Sequence, residues 1–386
     1  MMASSFMVIV EPAPVDLLFL IAACLFLTSG LTVSALTVPM IFCLLLYNLG
    51  GFISFLEVSN ESKAGMFVVT SAYMAASAIF FAFYIAHDPV QRITTFKKGY
   101  MIGALIAAII GLIGYFNVGG LGAVLSPIQR AQGTFKDPNV LSTYLILPAL
   151  FLTQEIMLNA KGWKLARYVS LLTILACLFL AFSRGAWISF VGAAGLMILL
   201  TFVLTASAGT RNRIIVLSVA GAVAVTALLM LLLSIEPVRN LFLDRLTLVK
   251  SYDTGEHGRF GIQANSIQYL VERPLGFGPT LFRRIFGQDP HNVYLNAFAS
   301  YGWLGGISYL LMTLSTIIVG FKAVLTRTPW QNASIVIFCP LLTTMLQGVQ
   351  IDTDHWRHFY WMLGLMWGLY AASAAYVLKP SDAASR

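Results

Sequence analysis

Apolar residues fall into eleven long runs separated by short polar gaps, and one longer polar stretch interrupts them between about 236 and 300. The runs are 15–31, 36–56, 65–86, 99–118, 138–159, 166–183, 186–206, 213–235, 301–321, 332–351 and 359–378. About 20 apolar residues carry a helix across the hydrocarbon of a bilayer. Backbone groups in lipid must also be satisfied within their own segment. Each run therefore predicts a transmembrane helix, the first being the shortest. The expected fold class is an all-α polytopic membrane helical bundle of about eleven transmembrane helices. It forms one integral membrane domain over 1–386, with 236–300 inserted as a long outer loop. Inside that loop, 259–272 (RFGIQANSIQYLVE) places Phe260, Ala264, Ile267, Leu270 and Val271 on roughly one helical face. Pro274 ends this helix, and Pro274-Leu275-Gly276-Phe277-Gly278 reads as a turn. The pattern predicts an amphipathic helix resting on the membrane surface.

Composition sharpens the class. Hydrophobic residues make up 58% of the chain and charged ones only 10%, with mean hydropathy +0.81; a soluble protein carries about 25% charged residues. The net charge of +8 sits in short gaps and forms no basic stripe, so nucleic acid is not an expected partner. Cys24, Cys43, Cys177 and Cys339 all lie within apolar runs without metal or redox spacing and read as small hydrophobes. The first charged residue is Glu11, so no basic segment precedes the first run and no cleavable signal peptide is expected.

The distribution of bases sets an orientation and then raises a question. Arg92, Lys97, Lys98, Lys161, Lys164, Arg167, Arg211, Arg213, Lys322, Arg327, Lys379 and Arg386 occupy alternate gaps and read as cytoplasmic. This orientation leaves the amino terminus outside and the carboxyl terminus inside. Twelve more bases fall on the opposite side: Lys63, Arg130, Lys136, Arg184, Arg239, Arg245, Lys250, Arg259, Arg273, Arg283, Arg284 and Arg357. Nine of these are arginines. A planar guanidinium fork suits phosphate or carboxylate, so the outer face is expected to handle an anion.

Ser183-Arg184-Gly185-Ala186 separates two apolar runs. Arg184 is either an interfacial arginine reaching for headgroups or a fixed cation at the mouth of a cleft. Arg259 opens the surface helix after Gly255-Glu256-His257-Gly258. His291-Asn292 begins another helical run, with Asp289 expected to cap it. The helix start offers N–H groups to an anion; the plain alternative for His291 is a solvated loop histidine. Asp352, Asp354, His355, Arg357 and His358 cluster before the last run. They read as a polar pocket or a cap for the final helix, and no metal site is expected without a third histidine. Gly133-Thr134-Phe135-Lys136-Asp137-Pro138-Asn139 is a turn feeding a rigid helix start, with Arg130 just before it. No GxxxxGK[ST] motif is present, so ATP hydrolysis is not indicated. Transporters place ionisable residues near the midplane, whereas these span centres are almost free of charge. The pattern favours an enzyme acting on a lipid-anchored substrate over an ion-coupled carrier.

The order GTFKDPN, SRGAW, GRFGIQANSI, PLGFG, HNVYLNAFASYGWLGG and DTDHWRHFYWMLGL around one long outer loop resembles the O-antigen ligase and polysaccharide polymerase superfamily of bacterial membrane proteins, over roughly 15–378. The resemblance implies a GT-C-like glycosyltransferase of the inner membrane, with its site facing the periplasm and no metal, nucleotide or other cofactor. The implied donor is an undecaprenyl diphosphate-linked glycan. The implied acceptor is a sugar of lipid A–core for a ligase, or a growing polysaccharide for an O-antigen or exopolysaccharide polymerase. Membrane lipid surrounds both. By the family motifs, Arg184 and Arg259 correspond to diphosphate-binding arginines and His291 to the loop histidine. Arg130, Asn292, Asp354, His355 and Arg357 are candidates to line the same pocket. Family members commonly carry a further span before EPAPVDLLFL, where this chain has about ten residues. Competing expectations are transfer to protein hydroxyls, or a flippase that moves the lipid-linked glycan without making bonds.

Overall fold

The computed structural model describes residues 1–28, 33–246, 255 and 258–378. Lys250, Glu256, His257, Lys379 and Arg386, named above, lie outside them, as does the end of the first apolar run. The protein is all-α: helix accounts for 78%, with no strand among the described residues.

Among the described residues, each of the eleven apolar runs forms helix. In chain order they are α1 (Pro14–Thr28), α2 (Val38–Glu57), α3 (Ala64–His87), α4 (Pro89–Tyr115), α5 (Pro138–Met157), α6 (Lys164–Leu180), α7 (Arg184–Thr205) and α8 (Ala208–Leu233). The polar stretch contributes α9 (Glu236–Leu246), α10 (Arg259–Val271) and α11 (Phe282–Phe286). The last three runs are α12 (Val293–Leu325), α13 (Gln331–Gln347) and α14 (Arg357–Leu378). Eight of the eleven are long and apolar enough to cross a membrane. The other three are shorter: α1 has 15 residues, and α6 and α13 have 17 each. The protein is a polytopic membrane protein. α8 makes the point most directly: it is apolar all round, yet almost none of it is buried by protein. Such a surface is stable only against lipid.

The chain divides into two compact units. The first comprises Met1–Gly30, Val90–Leu248 and Ile335–Thr343. Its centre is α5, which is largely buried. Tyr100 of α4 donates to the Tyr144 carbonyl at 2.9 Å, and Tyr144 shares a buried hydroxyl contact of 2.6 Å with Ser5. One end gathers three basic segments around Glu155, which accepts from Lys97 at 2.6 Å and from Arg167 at 2.8 Å, while Arg213 donates to the Ile156 carbonyl at 3.0 Å.

The second unit comprises Leu31–Pro89, Val249–Ser334 and Thr344–Arg386. Small residues let its helices approach closely. A Cβ on Gly364 would lie 2.1 Å from the Ala78 carbonyl oxygen, and one on Gly368 would lie 2.4 Å from that of Ala82, so α14 and α3 meet backbone to backbone. The Gly50 and Gly305 backbones bring α2 and α12 together in the same way.

α12 is broken at Gly302, whose φ of 65° and ψ of −169° leave the helix. The break exchanges hydrogen bonds with the Pro274–Gly278 turn. Trp303 N–H would bond the Ala299 carbonyl in a regular helix; it donates instead to the Pro274 carbonyl at 2.8 Å. The freed Ala299 carbonyl accepts from Phe277 N–H at 2.7 Å. A side chain at Gly302 would strike the Pro274 carbonyl, and Gly276, with φ of 75°, has equally little room against Ala299.

Candidate active site

In the first unit the site is built around the junction of α6 and α7. Ser183 caps α7, its hydroxyl accepting from Ala186 N–H at 3.3 Å, and Arg184 is the first helical residue. Phe182, just before the cap, has a left-handed backbone with φ of 48°. Arg130 is buried and fastens this junction. Its Nε donates to the Ala181 carbonyl at 2.7 Å, and its Nη2 donates to Asn139 Oδ1 at 2.9 Å. Ala131 N–H adds a bond to the Leu180 carbonyl at 2.9 Å. Asn139 in turn starts α5, its N–H held by the Asp137 carboxylate at 2.6 Å. GTFKDPN and SRGAW are therefore joined through Arg130. Beside them a cavity of about 1140 Å³ is walled by Tyr115, whose ring packs on Phe182 with centroids 6.1 Å apart.

The second unit assembles the other candidates. Arg259 is the first residue of α10 and is half-buried, its guanidinium 4.9 Å above the Phe260 ring centre. One turn on, Gln263 donates to the Pro290 carbonyl at 2.7 Å. That bond ties α10 to the residue before His291. The buried face of α10 is Ile262, Ser266 and Leu270, whereas Phe260, Ala264, Ile267 and Val271 are exposed. Leu270 thus leaves the expected surface stripe for the protein side, where it packs with Ile262, Phe277 and Phe282.

His291 has a left-handed backbone, φ 48°. Asp352 holds it there: its two carboxylate oxygens accept the N–H groups of His291 and Asn292, each at 3.1 Å. Asn292 caps α12, its Oδ1 accepting from Tyr294 and Leu295 N–H at 3.1 Å. Asp289 does not cap the helix as expected. It lies 3.6 Å from Arg283, because the Pro290 turn leaves Asn292 in the capping position. The first N–H groups of α12 meet the protein's own acceptors: Val293 donates to the Gly348 carbonyl at 2.8 Å, and Tyr294 and Leu295 to Asn292.

Asp354 is buried and accepts from Asn296 Nδ2 at 3.1 Å; Asn296 Oδ1 accepts from Ser300 at 2.9 Å. His355 Nδ1 faces Asp354 at 3.1 Å, and its Nε2 meets the Phe67 carbonyl at 3.1 Å. His355 stands in the turn before α14 and His358 within the helix, so the two do not share a helical face. Arg357 is the first residue of α14. Burial and the neighbouring Asp354 carboxylate push Asp352 up to about 8, against the pull of the His291 and Asn292 N–H groups. Burial works to lower His355, but the Asp354 charge and hydrogen bond outweigh it and its pKa is raised.

Sequence reasoning named the Asp352 cluster but singled out Asp354 and missed the grip of Asp352 on His291. It also missed Asn296 and Gln263. A signal for Asn296 was available: Asn292, Asn296 and Ser300 recur every four residues along an apolar helix.

Residues 169–310 match a family model described as O-antigen ligase. This match bears out the resemblance to the O-antigen ligase-like superfamily and marks a membrane enzyme of ligase or polymerase type. The matched stretch contains Arg184, Arg259, His291 and Asn292, together with SRGAW and PLGFG. GTFKDPN and the Asp352–His358 cluster lie outside it. No curated protein matches the chain.

Proposed function

We propose that this chain transfers a glycan from undecaprenyl diphosphate to an acceptor sugar as an O-antigen ligase-like glycosyltransferase of the bacterial inner membrane, with the reaction on the periplasmic side. The observation that carries the reading is the O-antigen ligase match over the stretch holding Arg184, Arg259 and His291. Membrane sidedness draws support from Glu155, which gathers segments of the basic set that reads as cytoplasmic. The outer segments likewise keep company within each unit: Arg130 with Ala181, Arg284 with Glu61, and His291 with Asp352.

A sugar diphosphate needs charge stabilisation as the C1–O bond to phosphate breaks. Arg184 and Arg259 each open a helix, where backbone N–H groups reinforce an anion site. A guanidinium at either position can hold a diphosphate through charge-assisted hydrogen bonds that strengthen as the leaving group takes the electron pair. His291 accepts the proton of the acceptor hydroxyl while its oxygen bonds to C1 from the opposite face. The anomeric carbon is inverted, undecaprenyl diphosphate leaves, and the proton remains on the imidazole. The strained backbone at His291 fits this role, since such conformations persist where the surroundings over-determine them. Asp352 and Asn292 supply that restraint.

The test is transfer by the purified protein in proteoliposomes from a carrier-linked glycan. Arg184→Ala and Arg259→Ala are each expected to lose about 10²- to 10³-fold in rate while remaining folded, and His291→Ala to lose the base. Normal transfer by both arginine variants would overturn the diphosphate-binding role of the arginines. Movement of intact lipid-linked glycan without transfer would make the protein a carrier. Longer chains on the lipid identify a polymerase, and glycan delivered to a core sugar identifies a ligase.

A further inference from the structure

Within the second unit, α10, the Pro274–Gly278 turn and α11 enclose a cavity of about 780 Å³ that none of the residues above explains. Its size is that of a small-molecule site. Three chemistries meet there. Tyr269, Phe277 and Phe286 give aromatic walls, with Phe286 centred 6.1 Å from Tyr269 and 5.5 Å from Phe277. Asn265 and Gln268 place two amides on the α10 side, each able to donate and accept. Arg273 stands at the turn, exposed, 5.5 Å over the Phe277 ring.

The charge on Arg273 separates this cavity from an ordinary surface hollow. Both arginines of α11 face acids: Arg283 with Asp289 and Arg284 with Glu61. Among the described residues no acid forms an ion pair with Arg273, whose guanidinium stands over Phe277 instead. Aromatic faces pack on the C–H faces of a sugar ring, amides bridge its hydroxyl groups, and a guanidinium not engaged in an ion pair selects a carboxylate or phosphate. The floor of the cavity is also stiff. Phe277 is buried in the cluster with Ile262 and Phe282, and its N–H is taken by Ala299. The same helix holds the Pro290 carbonyl next to His291 through Gln263.

We infer that this cavity is the seat of the acceptor, and that the acceptor is an anionic saccharide whose carboxylate or phosphate is gripped by Arg273; the acceptor assignment rests on the glycosyl-transfer reading above. Arg273 positions and selects the acceptor and takes no part in the bond changes.

The experiment uses the full-length protein in nanodiscs of zwitterionic lipid and reads saturation-transfer NMR with glucuronic acid, glucose 6-phosphate and glucose. Both anionic sugars are expected to bind about ten-fold more tightly than glucose, the worth of one charge-assisted hydrogen bond. Arg273→Gln should erase that preference, and Tyr269→Ala should weaken all three sugars. Ile285→Trp, an exposed wall position, should block the cavity without touching its polar groups. Equal binding of all three sugars, or an unchanged preference in Arg273→Gln, would overturn the inference. So would loss of sugar binding when phosphatidylglycerol is added to the nanodisc, which would make the cavity a headgroup seat. In the transfer assay Arg273→Gln should raise the acceptor KM about ten-fold with kcat kept; a fall in kcat at constant KM would count against it. Sugar binding is read without turnover. A protein that binds sugars here but never transfers them would sink the transferase reading alone, and a transferase indifferent to Arg273 would sink the cavity alone.

Discussion

Single residues do two kinds of work in this protein, and most of the polar ones position others. Arg130 is the clearest case. It is buried, and its guanidinium donates to Ala181 and Asn139. Arg130→Gln should cost about 1–3 kcal/mol in stability by leaving the Ala181 carbonyl unsatisfied. It should also slow transfer through the displaced Arg184, with thermal unfolding and kcat measured on the same preparation. The Asp352–Asp354–His355 group makes a pH prediction. Both Asp352 and His355 hold their protons more tightly in the folded protein than outside it. Their stabilisation is complete below the unfolded values and is lost as pH rises through the folded ones. The melting temperature should therefore fall as pH rises from about 4 to about 8 through Asp352, and His355 should add to the fall above about pH 6.5. Asp352→Asn should flatten the part of that fall below about pH 8; an unchanged slope would remove Asp352 as its source. At this scale the sequence shows which polar residues stand apart but not the bonds that join them. His291, Asn292 and Asp354 were legible because polar residues stand out between apolar runs. The hold of Asp352 on His291 spans 61 positions, and no local pattern encodes it.

At the scale of elements, apolar periodicity was the most legible feature, and among the described residues every predicted run forms helix. Helix ends were less so. α12 starts at Val293, well ahead of the apolar run at 301, because the Asn292 cap and the polar line of Asn296 and Ser300 extend it beyond the hydrophobic stretch. The exposed stripe of α10 is one residue narrower than the apolar pattern predicts, since Leu270 faces the aromatic cluster. The α14–α3 contact was not foreseen at all: glycines in a span are ordinary, and only a partner backbone gives them meaning. Gly364→Leu should therefore destabilise the protein by at least about 1–3 kcal/mol through overpacking against Ala78. Gly221→Leu, in α8 with nothing near its Cβ, should be nearly neutral. Unfolding in detergent compares the two directly.

For the whole molecule, the membrane class is legible in composition, and the bases carry an expected sidedness that can be checked without activity. Single cysteines introduced into a variant lacking Cys24, Cys43, Cys177 and Cys339 should report it. In intact spheroplasts a membrane-impermeant maleimide should label Arg283→Cys and spare Lys161→Cys. The reverse pattern would invert the topology and move the candidate site to the cytoplasm. The acceptor, the sugar and the linkage leave no trace in hydrophobic patterning. Recognition of a glycan depends on a few amides and rings brought together by tertiary structure, as at Asn265, Tyr269 and Phe286.

The crossed hydrogen bonds at Gly302 have a practical corollary for anyone building chimeras to alter specificity. Because Pro274 and Phe277 complete the backbone of a neighbouring helix, the outer segment is not a detachable cassette. A graft cut at its visible edges would orphan Ala299 and Trp303, so a working splice must carry Ala299–Trp303 along with the transplanted piece.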